Sequence, residues 1–178
     1  EAIDRITPLI APEDVFISTT TALAGPIREA RLGLPEENVL AEPCKRNTAG
    51  CLTWVAAELL ARYGEESLAM AVLTSDHQIG RPTRFRACVD AALSAAEQQA
   101  ALVTIGIKPS RPETGYGYIE VGENPPGGEA RPVARFREKP NYELAQEFLE
   151  SGRHYWNSGM FFWTIGTLLG EMDQASPD

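Results

Sequence analysis

The sequence has no apolar run near the ~18 residues that a bilayer-spanning helix needs. Its first ten residues, EAIDRITPLI, mix charged with apolar side chains and do not resemble a signal peptide. Histidine is scarce (only His77 and His154), and there are three cysteines, Cys44, Cys51 and Cys88. An odd number of thiols cannot all pair within one chain, and none stands in a C-x-x-C arrangement. Reduced structural thiols are therefore expected and a zinc site is not. Cations are also in the minority. Sixteen Lys and Arg against 25 Asp and Glu leave a net charge of −9, which argues against a nucleic-acid partner, since that recognition draws on basic surfaces. A small anionic ligand stays admissible, because a local cluster of cations can oppose the global field. With no membrane segment expected, the cytoplasm is the simplest compartment.

What is present suits a folded domain. The 178 residues are 43% hydrophobic and 23% charged, enough for a sizeable core in one or at most two domains. The chain has no initiating Met, residues 1–10 read as the tail of a helix leading into a strand, and MDQASPD follows a helical stretch with no closing element. It reads as a partial segment of a larger domain.

Apolar and β-branched runs predict strands at DVFIST (14–19), NVLAEP (38–43), SLAMAVLTSD and ALVTIGI (101–107). Between them lie helical patterns. One runs through TALAGPIREARLG, where Pro26 can interrupt it; a second is capped by Thr48 and carries Leu52, Val55, Leu59 and Leu60 as far as Gly64; a third is opened by Pro82. Strands alternating with helices predict an α/β fold with a mainly parallel central sheet flanked by helices. From residue 108 the pattern changes. GYGYIE and PVARFREKP read as strands joined by the Pro/Gly-rich loop VGENPPGGEARP, followed by a helix at 142–151 and a strand at WNSGMFFW. This half is expected to form a smaller mixed β region.

Ligands of open α/β sheets sit beyond the carboxyl ends of the strands, and polar clusters occupy those ends here. EPCKRNT leaves the second strand, SDH the third, and EKP the strand of the second half. Ser75, Asp76 and His77 cannot form a catalytic triad, because neighbouring residues of a strand point to opposite faces. An aspartate at a strand end suits a hard cation such as Mg²⁺ beside phosphate oxygens, or simply caps a turn. Lys45, Arg46, Asn47 and Thr48 bring charge and hydrogen-bonding groups to a helix N-terminus, which fits a phosphate or an ordinary cap. Gly115 and Gly117 permit close backbone approach, although a plain turn is the commoner use. Asn157 interrupts an apolar strand, and a buried Asn needs partners. In VARFREKP, Arg135, Arg137 and Lys139 share one side of an extended segment, with Phe136 and Glu138 on the other, until Pro140 stops it. Where Pro140 ends the strand the backbone can turn, allowing Glu138 and Lys139 both to approach one ligand.

Taken together and in this order, EPCKRNTA, SDH, TGYGYIE, FREKP and WNSGMF resemble the bacterial mannose-1-phosphate guanylyltransferases within the sugar nucleotidyltransferases. The resemblance implies a Rossmann-like nucleotidyltransferase fold, GTP and mannose 1-phosphate as substrates, GDP-mannose and pyrophosphate as products, and Mg²⁺ as cofactor. It also implies that Arg46, Asn47 and Thr48 serve the nucleotide, Asp76 the metal, Gly115, Glu138 and Asn157 the sugar, and Lys139 its phosphate, with Asp76 and Lys139 catalytic. Residues 1–107 would be the nucleotide half and 108–178 the sugar-phosphate half. The family's Gly-rich signature and a second metal-binding aspartate are absent from the segment, which alone is expected to be inactive. Alternatives are another sugar-1-phosphate nucleotidyltransferase, such as a glucose-1-phosphate thymidylyltransferase, or a non-catalytic sugar-nucleotide-binding regulator. A homo-oligomer is compatible with the sequence but not determined by it.

Overall fold

The computed structural model describes residues 1–44, 47–123 and 130–175. Lys45, Arg46, residues 124–129 of the Pro/Gly-rich loop and residues 176–178 of the terminal SPD lie outside them. The chain forms α1 (Ala2–Ile6), β1 (Ile17–Thr20), α2 (Thr21–Glu29), β2 (Val39–Glu42), α3 (Thr48–Tyr63), β3 (Ala69–Val72) and α4 (Pro82–Gln99). It continues with β4 (Val103–Ile107), β5 (Tyr118–Val121), β6 (Val133–Arg137), α5 (Tyr142–Ser151), β7 (His154–Thr164) and α6 (Ile165–Ala175).

Several boundaries move for local reasons. Pro12 starts a 3-10 turn over Pro12–Asp14, so the first strand begins at Ile17 rather than at residue 14. Asn47, not Thr48, caps α3: its side-chain oxygen accepts from the Gly50 N–H at 3.2 Å, and Thr48 is the first helical residue. Gly64 closes that helix with φ +70° in the left-handed region that glycine adopts without a Cβ clash. Pro26 does not interrupt α2, which runs through it and stops at Glu29, before Arg31 takes φ +47°.

β1 and β2 pair in parallel. The other described sheet is built on β7, the longest strand, which is antiparallel to β3, β4 and β5; β6 adds antiparallel beside β5 at the edge. β3 and β4 therefore run in the same direction, with β7 between them. Phe162 is paired with both Ala71 and Val103, and Trp156 with both Tyr118 and Ile107. Thus β4 takes one edge of β7, while β3 and β5 divide the other.

The core explains the arrangement. Val55, Ala56 and Leu59 of α3 pack with Leu40 of β2, Met70 of β3, Trp163 of β7 and Leu168 of α6, so one cluster joins both sheets. Met160 and Phe162 pack instead against Val89, Ala92 and Ala96 of α4. Because Phe162 and Trp163 are adjacent in a strand, they face opposite sides, and helices cover both faces. Burying a side chain such as Phe162, fully excluded from solvent, contributes about 1.5–3 kcal/mol. α5 adds a third cluster, in which Ala145 and Phe148 meet Tyr118 and Trp156.

Candidate active site

The division of β7's edge sets where the candidate residues meet. β3 pairs with Phe161–Thr164 and β5 with His154–Trp156, so the edge from Asn157 to Met160 lies between them. The Asn157 N–H still donates to the Gly117 carbonyl at 2.8 Å, which draws the TGYG turn to this junction. Gly159 then takes φ +71°, and Thr74 lies against it, its Cγ2 3.5 Å from where a Cβ would stand. The β3–β7 ladder ends at Val72 and Phe161, just before this contact. Asp76 follows Thr74 by two residues and is exposed.

The loop carrying Asp76 is braced from α1. The Arg5 guanidinium donates to the His77 carbonyl at 3.2 Å and lies over the Phe85 ring, 5.8 Å from its centre. Arg5, Ser75, Asp76 and His77 share the lining of a cavity of about 260 Å³. Among the described residues, no group of three or more His, Cys, Asp or Glu could hold a metal. Asp76 therefore presents a single exposed carboxylate to this cavity.

On the far side of the junction the structure brings Gly117, Glu138 and Lys139 together. A Cβ at Gly117 would lie 2.8 Å from Phe136 Cζ and 2.9 Å from Glu138 Oε2, so these two side-chain tips close directly over the glycine. Glu138 Oε1 is 3.6 Å from Lys139 Nζ. Arg135 and Arg137 belong to β6, all of whose residues are exposed. Asn157's amide oxygen accepts from Thr104 Oγ1 and the Gly159 N–H, both at 3.2 Å, and its amide nitrogen makes no hydrogen bond among the described residues. Gly115 is also committed, its N–H donating to Glu113 Oε1 at 3.0 Å.

The residues expected to serve the nucleotide follow β2 in the chain and lead into α3. Asn47 uses its side-chain oxygen as the helix cap, Thr48 is exposed in the first turn, and Arg46 lies outside the described residues. Two residues passed over in the sequence also mark strand ends. Glu42 Oε1 at the end of β2 and Thr74 Oγ1 just beyond β3 are buried without a hydrogen-bond partner among the described residues. A polar atom left so is costly. The available signal was a carboxylate closing an apolar strand immediately before Pro43. Cys51 is partly buried, its sulfur 3.3 Å from Ser18 Oγ, and all three cysteines are free.

Strands β1–β7 with helices on both faces of the β7 sheet, and polar clusters following the ends of β2, β3 and β6, define an α/β protein of the open-sheet class. Residues 14–177 match the family model described as Nucleotidyl transferase, and the chain belongs to that family. It is 45% identical over 145 residues to a mannose-1-phosphate guanylyltransferase of Escherichia coli K12, covering 80% of this chain and 30% of that protein. It is 37% identical over 177 residues to another of that name from Salmonella muenchen, covering 99% and 37%. A solved structure from Thermus thermophilus, described as a mannose-1-phosphate geranyltransferase, superposes with a TM-score of 0.84 at 32% identity, covering 97% of this chain and 48% of that one. The chain thus spans about a third of the length of these curated relatives.

Proposed function

We propose that the protein carrying this chain transfers a guanylyl group from GTP to mannose 1-phosphate, releasing pyrophosphate and forming GDP-mannose. The observation that supports this reading best is the convergence of Gly117, Glu138 and Asn157 at one junction of β5, β6 and β7. A carboxylate and an amide nitrogen there suit sugar hydroxyls, and the neighbouring Lys139 ammonium suits the sugar phosphate.

The chemistry asks for alignment more than covalent help. A phosphate oxygen of the sugar phosphate attacks the α-phosphorus of the nucleotide, and pyrophosphate leaves from the opposite side. Lys139 neutralises charge on the attacking phosphate, while Glu138 and Asn157 fix the sugar's orientation. No side-chain nucleophile is needed. Asp76 would hold Mg²⁺, which when bound neutralises phosphate charge. Residues 1–107, with Asn47, Thr48 and Arg46, form the nucleotide half in this reading, and 108–178 the sugar-phosphate half.

The test is pyrophosphate release by the complete polypeptide with Mg²⁺, comparing GTP plus mannose 1-phosphate with dTTP plus glucose 1-phosphate. Preference for the second pair would replace the guanylyl assignment by a thymidylyl one. Binding without pyrophosphate release would replace the enzyme by a sugar-nucleotide sensor.

A further inference from the structure

Glu113 and Arg111 stand outside the residues assigned above, yet their geometry bears on the sugar-phosphate half. Glu113 uses both carboxylate oxygens. Oε1 accepts from the Gly115 N–H at 3.0 Å. Oε2 accepts from Arg111 Nε at 3.1 Å and Nη2 at 2.9 Å. The backbone of Glu113 is pinned as well. Its N–H donates to the buried Tyr118 hydroxyl at 3.0 Å, and that hydroxyl donates back to the Glu113 carbonyl at 2.9 Å. The Arg111 guanidinium in turn lies over the Trp156 ring, 5.4 Å from its centre. Trp156 is the β7 residue just before Asn157 and is only 8% exposed.

We infer that Glu113 is a positioning residue for the sugar phosphate: bound to Arg111, it holds the Gly115 amide and so sets the path of the 115–117 segment onto which Asn157 and Glu138 close. This rests on the function proposed above. The physical reason is the order of constraints. Gly115 and Gly117 have no Cβ to restrict their backbone, so the turn needs an outside clamp. A carboxylate held by two guanidinium N–H groups is a rigid acceptor. Downstream, the Gly117 carbonyl takes the Asn157 N–H, and the Glu138 carboxylate occupies the space above Gly117. A shift at residue 115 therefore passes directly to both candidate sugar contacts. The Gly115 amide, followed by Arg111, holds the Glu113 carboxyl below the usual glutamate range, as expected of an acceptor with two donors in place.

Two measurements on the complete polypeptide test this. In protein labelled with ¹⁵N-glycine, the Gly115 amide signal should titrate with a midpoint below the ordinary glutamate value, and Glu113→Gln should abolish that titration. A Gly115 signal unmoved by pH in the acid range would overturn the clamp, whatever the protein's activity. In steady-state assays, Glu113→Ala should raise KM for mannose 1-phosphate about tenfold while KM for GTP stays within about twofold, since small misplacements of a positioned substrate are costly. Glu113→Gln, whose single amide oxygen can accept from Gly115 but leaves Arg111 facing an NH₂ donor, should recover only part of the loss. An equal effect on both substrates, or none, would reduce Glu113 to a structural role and overturn the inference. A wild-type protein that turns over no sugar 1-phosphate would defeat the proposed function instead, leaving the glycine titration to decide the clamp.

Discussion

Glu138 Oε1 and Lys139 Nζ lie 3.6 Å apart, although consecutive residues of a strand point to opposite faces. The backbone makes this contact. Lys139 has φ +41°, an uncommon and strained conformation for a residue with a Cβ. It is held there from both sides. β6 ends at Arg137, Pro140 is buried, and Asn141 caps α5 by accepting from the Leu144 N–H at 3.0 Å. Both charged side chains are more than half exposed, so their pairing stabilises the fold little.

Replacing Lys139 with Met should therefore leave folding nearly intact while lowering kcat/KM by roughly 2–4 kcal/mol of transition-state stabilisation, the scale for one lost electrostatic donor. Glu138→Gln should act chiefly on KM for the sugar phosphate. Steady-state kinetics of both variants in the complete polypeptide check this; two wild-type profiles would remove the EKP turn from the site.

Asp76→Asn removes a charge with little change of shape at an exposed position. Its melting temperature should match the wild type, while turnover should fall sharply and should not recover as Mg²⁺ is raised. Near-normal rates across a magnesium titration would exclude Asp76 as the metal ligand.

Two glycine-to-alanine changes should separate packing from function. At Gly106 a Cβ would stand 2.8 Å from Tyr155 Cβ, a rigid neighbour close to its own backbone. Gly106→Ala should cost about 1–3 kcal/mol of stability, as overpacking does, visible in urea denaturation. At Gly117 the obstructing atoms are the tips of Phe136 and Glu138, which can swing away. Gly117→Ala should thus cost less stability but displace the Glu138 carboxylate and raise KM for the sugar phosphate. The reverse ranking in stability would contradict this packing.

His154 gives the fold an acid sensitivity. It is buried, stacked on Phe148 with ring centres 3.9 Å apart, with Nδ1 2.7 Å from Ser151 Oγ. Burial lowers its pKa below 6.5, against the pull of Glu120 and with a further push from Arg153. An unfolded histidine protonates near pH 6.5, so the unfolded chain binds more protons as pH falls through that value. The stability contributed is present in full above the unfolded pKa and is lost toward the lower folded one. Urea denaturation at pH 7.5 and 5.5 should show a larger loss for wild type than for His154→Gln. Equal losses would show that His154 is not the responsible group.

Much of the chain is legible locally because local physics controls it. Gly64 ends α3, Pro82 opens α4, and α5 spans residues 142–151 as its apolar spacing predicts. The strand-end placement of SDH and EKP is equally legible, since turn residues and prolines interrupt apolar runs at those points. The cap of α3 falls one residue before the position expected because Asn47 and Thr48 are both good caps, and only the φ of Asn47 and its bond to Gly50 distinguish them.

Sequence by itself determined the elements, their order and the polar clusters that close them, because hydrophobic periodicity and turn chemistry act over a few residues. Tertiary structure alone decided how those clusters meet. The order of elements did not reveal that β7 would enter between β3 and β4, nor that β3 and β5 would divide its other edge around Asn157–Met160. That pairing joins β7 to a strand, β3, far upstream in the chain, and it rests on a core in which Phe162 and Trp163 must each find a helix on opposite faces. The same long-range packing places Glu138 above Gly117 and leaves Glu42 Oε1 without a partner among the described residues. No local pattern carries these contacts, because each side chain's partner is supplied by a distant strand.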